Sequence, residues 1–352
     1  MLCQHELESA GQRCADYLIQ NIREDGSFVY EQNSRTGFIS HNYNMLRHSG
    51  AIYALCGWLQ MYKNVRSLKQ VEKALDYLKT HIVPLQDRLL CVREDNEIKL
   101  GGASLSLLAL MEYHKLRPLP GNIPTMHGLA RFICWMQDGT GRFKSKFNLA
   151  GKAVGDWEST YYPGQAILAL TRLYLVDGDL TWLVAAEHGA SFLINKYNQK
   201  DPLRRPYNHW LCIAIAELHL ALSSNSFYKQ YWLLANNILD SVRPFNKAPR
   251  AYSSAQMATR GEALLAGLLL ELELGNHSLT DSLATVVDDI LQYCLNFQIK
   301  DTGYKRYLGG VIQGNNNYNI RIDYVQHTLS LIHGLIHRYK FSPNTKTMAL
   351  TS

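Results

Sequence analysis

The sequence has no uninterrupted apolar run of about 18 residues, the length that a membrane-spanning helix needs. Its first residues, Met-Leu-Cys-Gln-His-Glu-Leu-Glu, are polar and acidic where a secretory signal peptide has its apolar segment. These two absences predict a soluble, cytoplasmic protein with no membrane span. Export by a route without a signal peptide would leave no such trace.

Metal-binding and disulfide patterns are also absent. The sequence contains no Cys-x-x-Cys pair and no Cys/His ligand spacing. His333 and His337 have the i, i+4 spacing of a helical metal site, but no third ligand is evident. We therefore expect no metal and no cofactor. The seven cysteines are predicted to be small buried apolar residues: Cys3, Cys14, Cys56, Cys91, Cys134, Cys212 and Cys294.

Charge is modest and evenly spread. The chain has 36 Lys and Arg against 30 Asp and Glu, and no block of five or more basic residues. A protein that binds duplex nucleic acid usually concentrates basic side chains on one face. The sequence therefore predicts no nucleic-acid partner, and an acidic small molecule or a glycan suits it better. Nothing in it indicates an oligomeric state.

Proline is scarce, with ten residues, while 47% of the chain is apolar. This composition excludes collagen-like and disordered chains. Apolar periodicity then predicts twelve helices. They cover Glu6–Ile22, Asn44–Tyr62, Ser67–Ile82, Gly102–Lys115, Met126–Met136, Tyr161–Leu175, Leu180–Lys196, Asn208–Leu222, Phe227–Val242, Ser254–Leu274, Leu279–Phe297 and Tyr324–Tyr339.

The helices alternate in character along the chain. Odd-numbered helices have one apolar face, whereas even-numbered helices are apolar nearly all round and begin with Gly and Ala, as in Gly164-Gln165-Ala166. Connections into the even-numbered helices are often long and contain segments typical of short β-hairpins. We therefore predict an all-α fold, an (α/α)6 toroid of six helical hairpins over residues 1–342, with a tail at 343–352. An open solenoid of helical pairs is the alternative.

In either a ring or a solenoid, even-numbered helices that run parallel gather their N-termini on one face. Helix N-termini favour carboxylate or phosphate, arginines recognise the same groups, and aromatic rings stack on sugars. The residues near these N-termini that we predict to bind substrate are Tyr43, Asn44, Arg47, Trp157, Tyr161, Tyr162, Gln165, Tyr207, His209, Trp210, Arg260, Arg321 and Gln326.

Two chemistries suit this face. Hydrolysis of a glycoside needs two carboxylates, for which Glu262, Asp156, Glu158 and Asp323 are candidates. Elimination or epimerisation at a uronate needs a base and groups that stabilise an anion, for which His48, His327 and Tyr162 are candidates beside Arg47 or Arg260. Structural roles compete with each of these. Asp156 is a suitable helix cap, Glu262 could form a salt bridge, and either histidine could belong to the core.

One segment resembles a known family. Gly155-Asp156-Trp157-Glu158-Ser159-Thr160-Tyr161-Tyr162-Pro163-Gly164-Gln165, which continues through Tyr174 to Asp177-Gly178-Asp179, is similar to segments of the six-hairpin glycosidase-like superfamily, including the catalytic part of glucuronyl C5-epimerases. The resemblance implies a toroid with a glycan-binding cleft at one end, in a group of hydrolases, lyases and epimerases. Lanthionine-cyclase-like and prenyltransferase-like toroids use zinc ligands that include cysteine, and the cysteines here are not arranged for that.

These observations favour a carbohydrate-active enzyme that acts on an oligo- or polysaccharide, with uronate-containing chains preferred, by hydrolysis, elimination or epimerisation. The alternative is a non-catalytic toroid or helical scaffold that binds a peptide, a protein or a glycan through its polar face. Sequence alone does not decide between the two.

Overall fold

Twelve α-helices form the body of the described part of the protein. The structure is a computed structural model, and it describes residues 2–341 apart from 152, 156, 202–204, 243–251, 277 and 302. The predicted tail at 343–352 lies outside this range, so the domain boundary stays a prediction. All twelve predicted helices are present, with ends that differ by a few residues.

The six even-numbered helices form an inner ring. They are α2 (Met45–Met61), α4 (Leu100–Leu116), α6 (Tyr162–Asp177), α8 (His209–Leu222), α10 (Ser254–Glu273) and α12 (Ile322–Phe341). Each packs against the next, and α12 packs against α2, so the ring is closed. Closure confirms the toroid, because an open solenoid would leave α2 and α12 apart.

The six odd-numbered helices form the outer layer. They are α1 (Gln4–Gln20), α3 (Val65–His81), α5 (Asn122–Trp135), α7 (Leu180–Asn198), α9 (Asn225–Val242) and α11 (Thr280–Leu295). From α3 onward each packs on the inner helix before it in the chain, while α1 packs on α12. Their apolar faces bury inward and their charged faces remain in solvent, as amphipathic helices require.

Small residues let the inner helices approach closely. A Cβ atom on Gly164 of α6 would lie 2.7 Å from the backbone nitrogen of Leu211 in α8, and one on Gly101 of α4 would lie 2.5 Å from the ring of Tyr162. Five of the seven cysteines are buried, and Cys3 is exposed. No helix of the described residues has both the length and the apolarity to cross a membrane.

Short antiparallel strands join the long connections. One sheet has the order β1-β8-β7, and its strands are Glu31–Asn33, Asn317–Arg321 and Ile312–Gly314. The other has the order β2-β3-β4-β5-β6, and its strands are Ile82–Gln86, Leu89–Glu94, Glu97–Lys99, Lys146–Asn148 and Ala153–Val154. The predicted hairpins are therefore present, and Glu31 pairs with Arg321 across the point of ring closure.

The ring has two unlike ends. Contacts between equivalent turns, such as that of Gly50 with Gln326 and of Gly57 with His333, show that the inner helices run parallel. We call the end where the inner helices begin the N-terminal mouth, and the end where they finish the C-terminal mouth. Most of the connections at the N-terminal mouth are long, whereas those at the C-terminal mouth are short turns.

Candidate functional site

Two imidazoles and a carboxylate meet at the N-terminal mouth. His209 is the first residue of α8, Glu262 lies in the third turn of α10, and His327 lies in the second turn of α12. His327 Nδ1 and Glu262 Oε2 are 2.8 Å apart, and His209 Nε2 lies 3.9 Å from the same oxygen. The two imidazole centroids are 5.3 Å apart. We call these three residues the imidazole–carboxylate cluster.

Glu262 determines the charge state of His327. Burial alone lowers the pKa of this imidazole, but the charge of Glu262 and its hydrogen bond outweigh that effect, and the pKa of His327 is raised. Nδ1 is therefore the nitrogen that donates to Glu262. The second nitrogen, Nε2, is left to exchange a proton with a ligand.

His209 is shifted in the opposite direction. Burial, followed by the nearby charge of His327, holds its pKa well below the usual value. At neutral pH the ring is therefore uncharged. Its Nε2 atom is buried and has no hydrogen-bond partner among the residues that the structure describes. The cluster thus combines a neutral imidazole with one that favours the protonated form.

The same three side chains have the composition of a divalent metal site. Their donor atoms lie within 4.8 Å of one another. Bonds of about 2.0–2.2 Å at a tetrahedral angle would place such atoms roughly 3.4 Å apart. A bound ion would therefore draw the side chains together and replace the hydrogen bond between His327 and Glu262. The expectation of no metal stays a prediction, and mass spectrometry of the purified protein tests it.

A second charged group lies beside the first. Asp323, only 8% exposed, accepts from Arg47 Nε at 2.8 Å and from Arg321 Nε and Nη2 at 2.6 and 2.9 Å. Burial alone raises the pKa of Asp323, but the two guanidinium groups outweigh it and lower that pKa. Asp323 is therefore a paired carboxylate, and its charge also raises the pKa of His327.

Aromatic side chains surround the cluster. Tyr161 lies 5.7 Å from His209, and Trp210 lies 5.0 Å from His209 and 6.4 Å from His327, between ring centroids. Trp157 is exposed, packs against Tyr162 and lies under the ammonium group of Lys146. Flat exposed rings of this kind stack on the apolar faces of sugars.

Arg260 extends the site towards α9. Its guanidinium lies between the rings of Tyr207 and Tyr252, at 4.7 and 4.6 Å from their centroids. It donates to Ser241 Oγ and to the carbonyl oxygen of Gln256. Within the described residues no carboxylate pairs with it, and burial lowers its pKa. Arg260 is therefore a cation that is available to an acidic ligand.

Three amides from the prediction have structural contacts. Asn44 caps α2 by accepting from the backbone N–H of Arg47 at 3.2 Å. Gln326 is buried and lies 3.4 Å from His327, and Gln165 is buried beside Gly101. The Gln165 Oε1 atom has no partner in the described part of the chain.

Some predicted residues lie elsewhere. His48 is fully buried between α2 and α3, where one ring nitrogen bonds to the carbonyl oxygen of Ala74 and the other to the hydroxyl of Tyr43. The expectation that His48 faces the cleft is therefore wrong, because its ring completes the packing between α2 and α3. Tyr43 is only partly buried, its hydroxyl accepts from the backbone N–H of Phe28, and its role in substrate binding stays a prediction. Glu158 is bound by Arg142 and by Lys196 of the outer helix α7, so both of its carboxylate oxygens are engaged in ion pairs. Asp156 lies outside the described residues.

Two contributors were not expected from the sequence. Tyr30, in the connection before β1, accepts a hydrogen bond from Arg47, and Tyr252 covers one face of Arg260. The alternation of Phe28 and Tyr30 was the available signal for the first. Tyr252 precedes the predicted start of α10 by two residues and had no distinguishing pattern.

Solved structures share this architecture along nearly the whole chain. A sugar epimerase from a ruminal bacterium has a TM-score of 0.73 at 13% identity, over 96% of this chain and 99% of that one. The chain therefore has the same (α/α)6 toroid fold as this epimerase. A D-mannose isomerase gives a TM-score of 0.71 at 12% identity, over 94% and 97% of the two chains. An unsaturated glucuronyl hydrolase specific for heparin gives 0.69 at 11% identity, over 95% and 98%. No protein-family model and no curated sequence matches the chain.

Proposed function

We propose that this protein is a sugar-acting enzyme that transfers a proton at a carbon atom beside a carbonyl group, as isomerases and epimerases do. The observation that carries the proposal is the pair of adjacent imidazoles whose pKa values are displaced in opposite directions. Titratable groups whose environments separate their pKa values are the usual arrangement for one acid and one base. The fold that the chain shares with a sugar epimerase and an isomerase supports the same class.

In the proposed reaction His209 is the base. Its neutral Nε2 removes the proton from the sugar carbon, and the electron pair moves into the neighbouring carbonyl group. His327 protonates the carbonyl oxygen through Nε2 while Glu262 holds Nδ1. Return of a proton to the opposite face of the same carbon, while the new hydroxyl group gives its proton back to His327, produces the epimer. Return of a proton to the neighbouring carbon, while the hydroxyl group on the original carbon loses its proton, produces the isomer.

The carboxylates support proton transfer over glycoside hydrolysis. A hydrolase needs one protonated and one ionised carboxyl group on either side of the bond that it cleaves. Asp323 is neutralised by two arginines, Glu158 is bound to two cations, and Glu262 is committed to His327. Asp156 lies outside the described residues.

Arg260 supports an acidic substrate, namely a uronate or a phosphorylated sugar. A guanidinium group binds a carboxylate or phosphate with two parallel hydrogen bonds, and no described carboxylate occupies this one. We further propose that the protein works in a reducing compartment such as the cytoplasm, since its seven cysteines are unpaired. We propose no nucleic-acid partner.

Proton exchange with solvent tests the proposal directly. The protein is incubated in D2O with D-mannose, D-fructose, cellobiose, glucuronate and heparin-derived disaccharides, and NMR follows deuterium at the carbon beside the carbonyl group. We expect exchange with at least one sugar, and its loss in His209→Asn and His327→Asn. His5→Asn, an exposed histidine on α1, is the matched control. Cleavage of a glycan without exchange would identify a hydrolase instead, and folded protein that exchanges none of the sugars would contradict the proposal.

A further inference from the structure

A cavity of roughly 640 Å³ opens at the C-terminal mouth, at the opposite end of the ring from the candidate site. All six inner helices contribute to its wall, through Gly57, Met111, Leu175, Leu220, Leu269 and Gly334. Its size falls within the range of about 300–1,000 Å³ that is typical of small-molecule sites. The proposed reaction does not use it.

Most of the wall and the rim of this C-terminal cavity is apolar. Leu265 and Leu269 of α10 line its interior, and Leu175, Val176 and Leu220 lie at its opening. Those three rim side chains are 60%, 52% and 45% exposed. A ring of exposed apolar residues around a cavity favours a ligand with an apolar body, because binding removes both surfaces from water.

Two polar atoms inside the cavity lack partners. Ser330 and His333 lie one turn apart on α12, and neither Ser330 Oγ nor His333 Nε2 has a hydrogen-bond partner in the described part of the chain, although both atoms are buried. Burial, with a contribution from His337, lowers the pKa of His333 to about 4, so its ring is neutral at pH 7. A buried polar atom without a partner is costly, and a ligand head group can supply one.

The charges of the lining favour a cation. Four glutamates line the cavity, whereas its permanent cations are Arg172 and Lys115. Both cations are already engaged, Arg172 with Glu217 at 2.6 Å and Lys115 with Glu112 at 2.7 Å. The C-terminal ends of six parallel helices add partial negative charge at the same mouth. An anionic ligand would be repelled here, whereas an ammonium group would be attracted.

We propose that the C-terminal cavity binds an amphipathic amine, with its apolar body against the leucines and its ammonium group at His333 Nε2 and Ser330 Oγ. A primary ammonium group has three donors and no acceptor, which matches the hydroxyl oxygen of Ser330 and the lone pair that Nε2 of His333 carries when the ring proton is on Nδ1. Glu262 is the one residue of the imidazole–carboxylate cluster that also lines this cavity, and amine binding does not require that the protein turn over any sugar.

Calorimetry with octylamine, 1-octanol and octanoate tests this, because the three probes share one chain and differ in charge. We expect one octylamine per chain, about tenfold weaker binding of octanol, and weaker binding still of octanoate. Ala266→Phe, which fills the cavity, should abolish octylamine binding, whereas Ala150→Phe on an exposed turn should not.

Ser330→Ala keeps the test decisive if Ala266→Phe fails to fold, since it removes one acceptor and should weaken octylamine binding by about fivefold. The proposal is overturned if the original protein does not bind octylamine, or if it binds octanoate as tightly as octylamine. It is also overturned if folded Ala266→Phe or Ser330→Ala binds octylamine as tightly as the original protein does. Proton exchange with sugars is measured separately, so failure of one proposal does not imply failure of the other.

Discussion

The two mouths of the ring are built from the same six helices and differ in how their cations are paired. At the N-terminal mouth Arg260 has no carboxylate partner among the described residues. At the C-terminal mouth Arg172 and Lys115 are paired with glutamates inside an apolar cavity. The N-terminal mouth therefore has a cation that is available to a ligand. The C-terminal mouth has paired charges and apolar surface.

The reactive groups lie towards the ends of the inner helices and differ between the two ends. Helix N-termini and long connections provide donors, arginines and aromatic rings at the N-terminal mouth, whereas the short turns at the C-terminal mouth surround a mostly apolar cavity whose two cations are paired with glutamates. Glu262 is the exception, because it bonds to His327 and also lines the C-terminal cavity. It separates the two regions.

The largest effect should come from the N-terminal mouth. We expect His327→Asn to lower kcat by roughly 10²–10⁴-fold, the range for loss of a general acid, and to leave octylamine affinity at the other mouth within about twofold. Steady-state rates with a sugar that exchanges, together with calorimetry, provide the two measurements. A parallel loss of both activities would show that the mouths are not independent.

Loss of a paired cation at the C-terminal mouth should lower the stability of the protein. Arg172→Met leaves Glu217 and Glu112 without their shared cation in a mostly buried site, and we expect the free energy of unfolding to fall by about 3 kcal/mol. Urea denaturation measures this change. Adding Glu217→Gln should restore part of the loss, because it removes an uncompensated charge. A loss below about 1 kcal/mol would show that solvent screens the ion pairs of Arg172 as strongly as it screens ion pairs on a protein surface.

The pH profile tests the residue between the mouths. The base His209 must be deprotonated and the acid His327 protonated, so kcat/KM should rise with pH below the usual imidazole pKa and fall with pH above it. Glu262→Gln removes the charge that raises the pKa of His327, so the alkaline limb should move to lower pH. Each unit of displacement costs about tenfold in rate on that limb. If the alkaline limb does not move in Glu262→Gln, that limb reports the titration of a group other than His327.

Arg260→Gln tests whether the N-terminal mouth recognises the acidic group of a substrate. For an acidic sugar we expect KM to rise about tenfold with little change in kcat, since a hydrogen bond to a charged group contributes about 1.5–3 kcal/mol. A neutral sugar should show no such change, and it serves as the internal control. Equal effects on both sugars would mean that Arg260 only supports the packing of Tyr207 and Tyr252.

The smallest effect should come from a candidate that the structure places outside the cluster. Glu158→Gln removes ion pairs with Arg142 and Lys196 near the surface, and we expect a loss of at most about 1 kcal/mol in the free energy of unfolding. Activity should stay within about twofold. A loss of activity as large as that expected for His327→Asn would show that Glu158 takes part in catalysis.

The ring could be predicted because apolar periodicity extends through nearly the whole chain. Alternating amphipathic and fully apolar helices, with connections of unequal length, determine both layers and the direction of the inner helices. The first turns of those helices were therefore predicted to lie together, and His209, Arg260, Asp323 and His327 lie there.

The rotation of each residue about its helix could not be predicted. Successive residues differ by about 100°, so Arg47 contacts Asp323 while His48 faces the outer helix α3. Both are charged or polar in a helix that is apolar nearly all round, so the sequence pattern predicts both equally as residues of the site. Contacts made by connections, such as that of Tyr30 with Arg47, depend on the folded path of the chain.

Ring closure also has a consequence for how the chain folds. β1 pairs with β8, and α12 packs on both α1 and α2. Closure of the ring therefore joins segments about 290 residues apart, and the loss of chain entropy in closing this loop costs roughly 5 kcal/mol. Until α12 is made, the ribosome has released five hairpins whose apolar edges on α2 and α10 face water. Folding yield should therefore be limited by the last helix, and substitutions in α12 that leave the finished ring stable will still slow its assembly and favour aggregation.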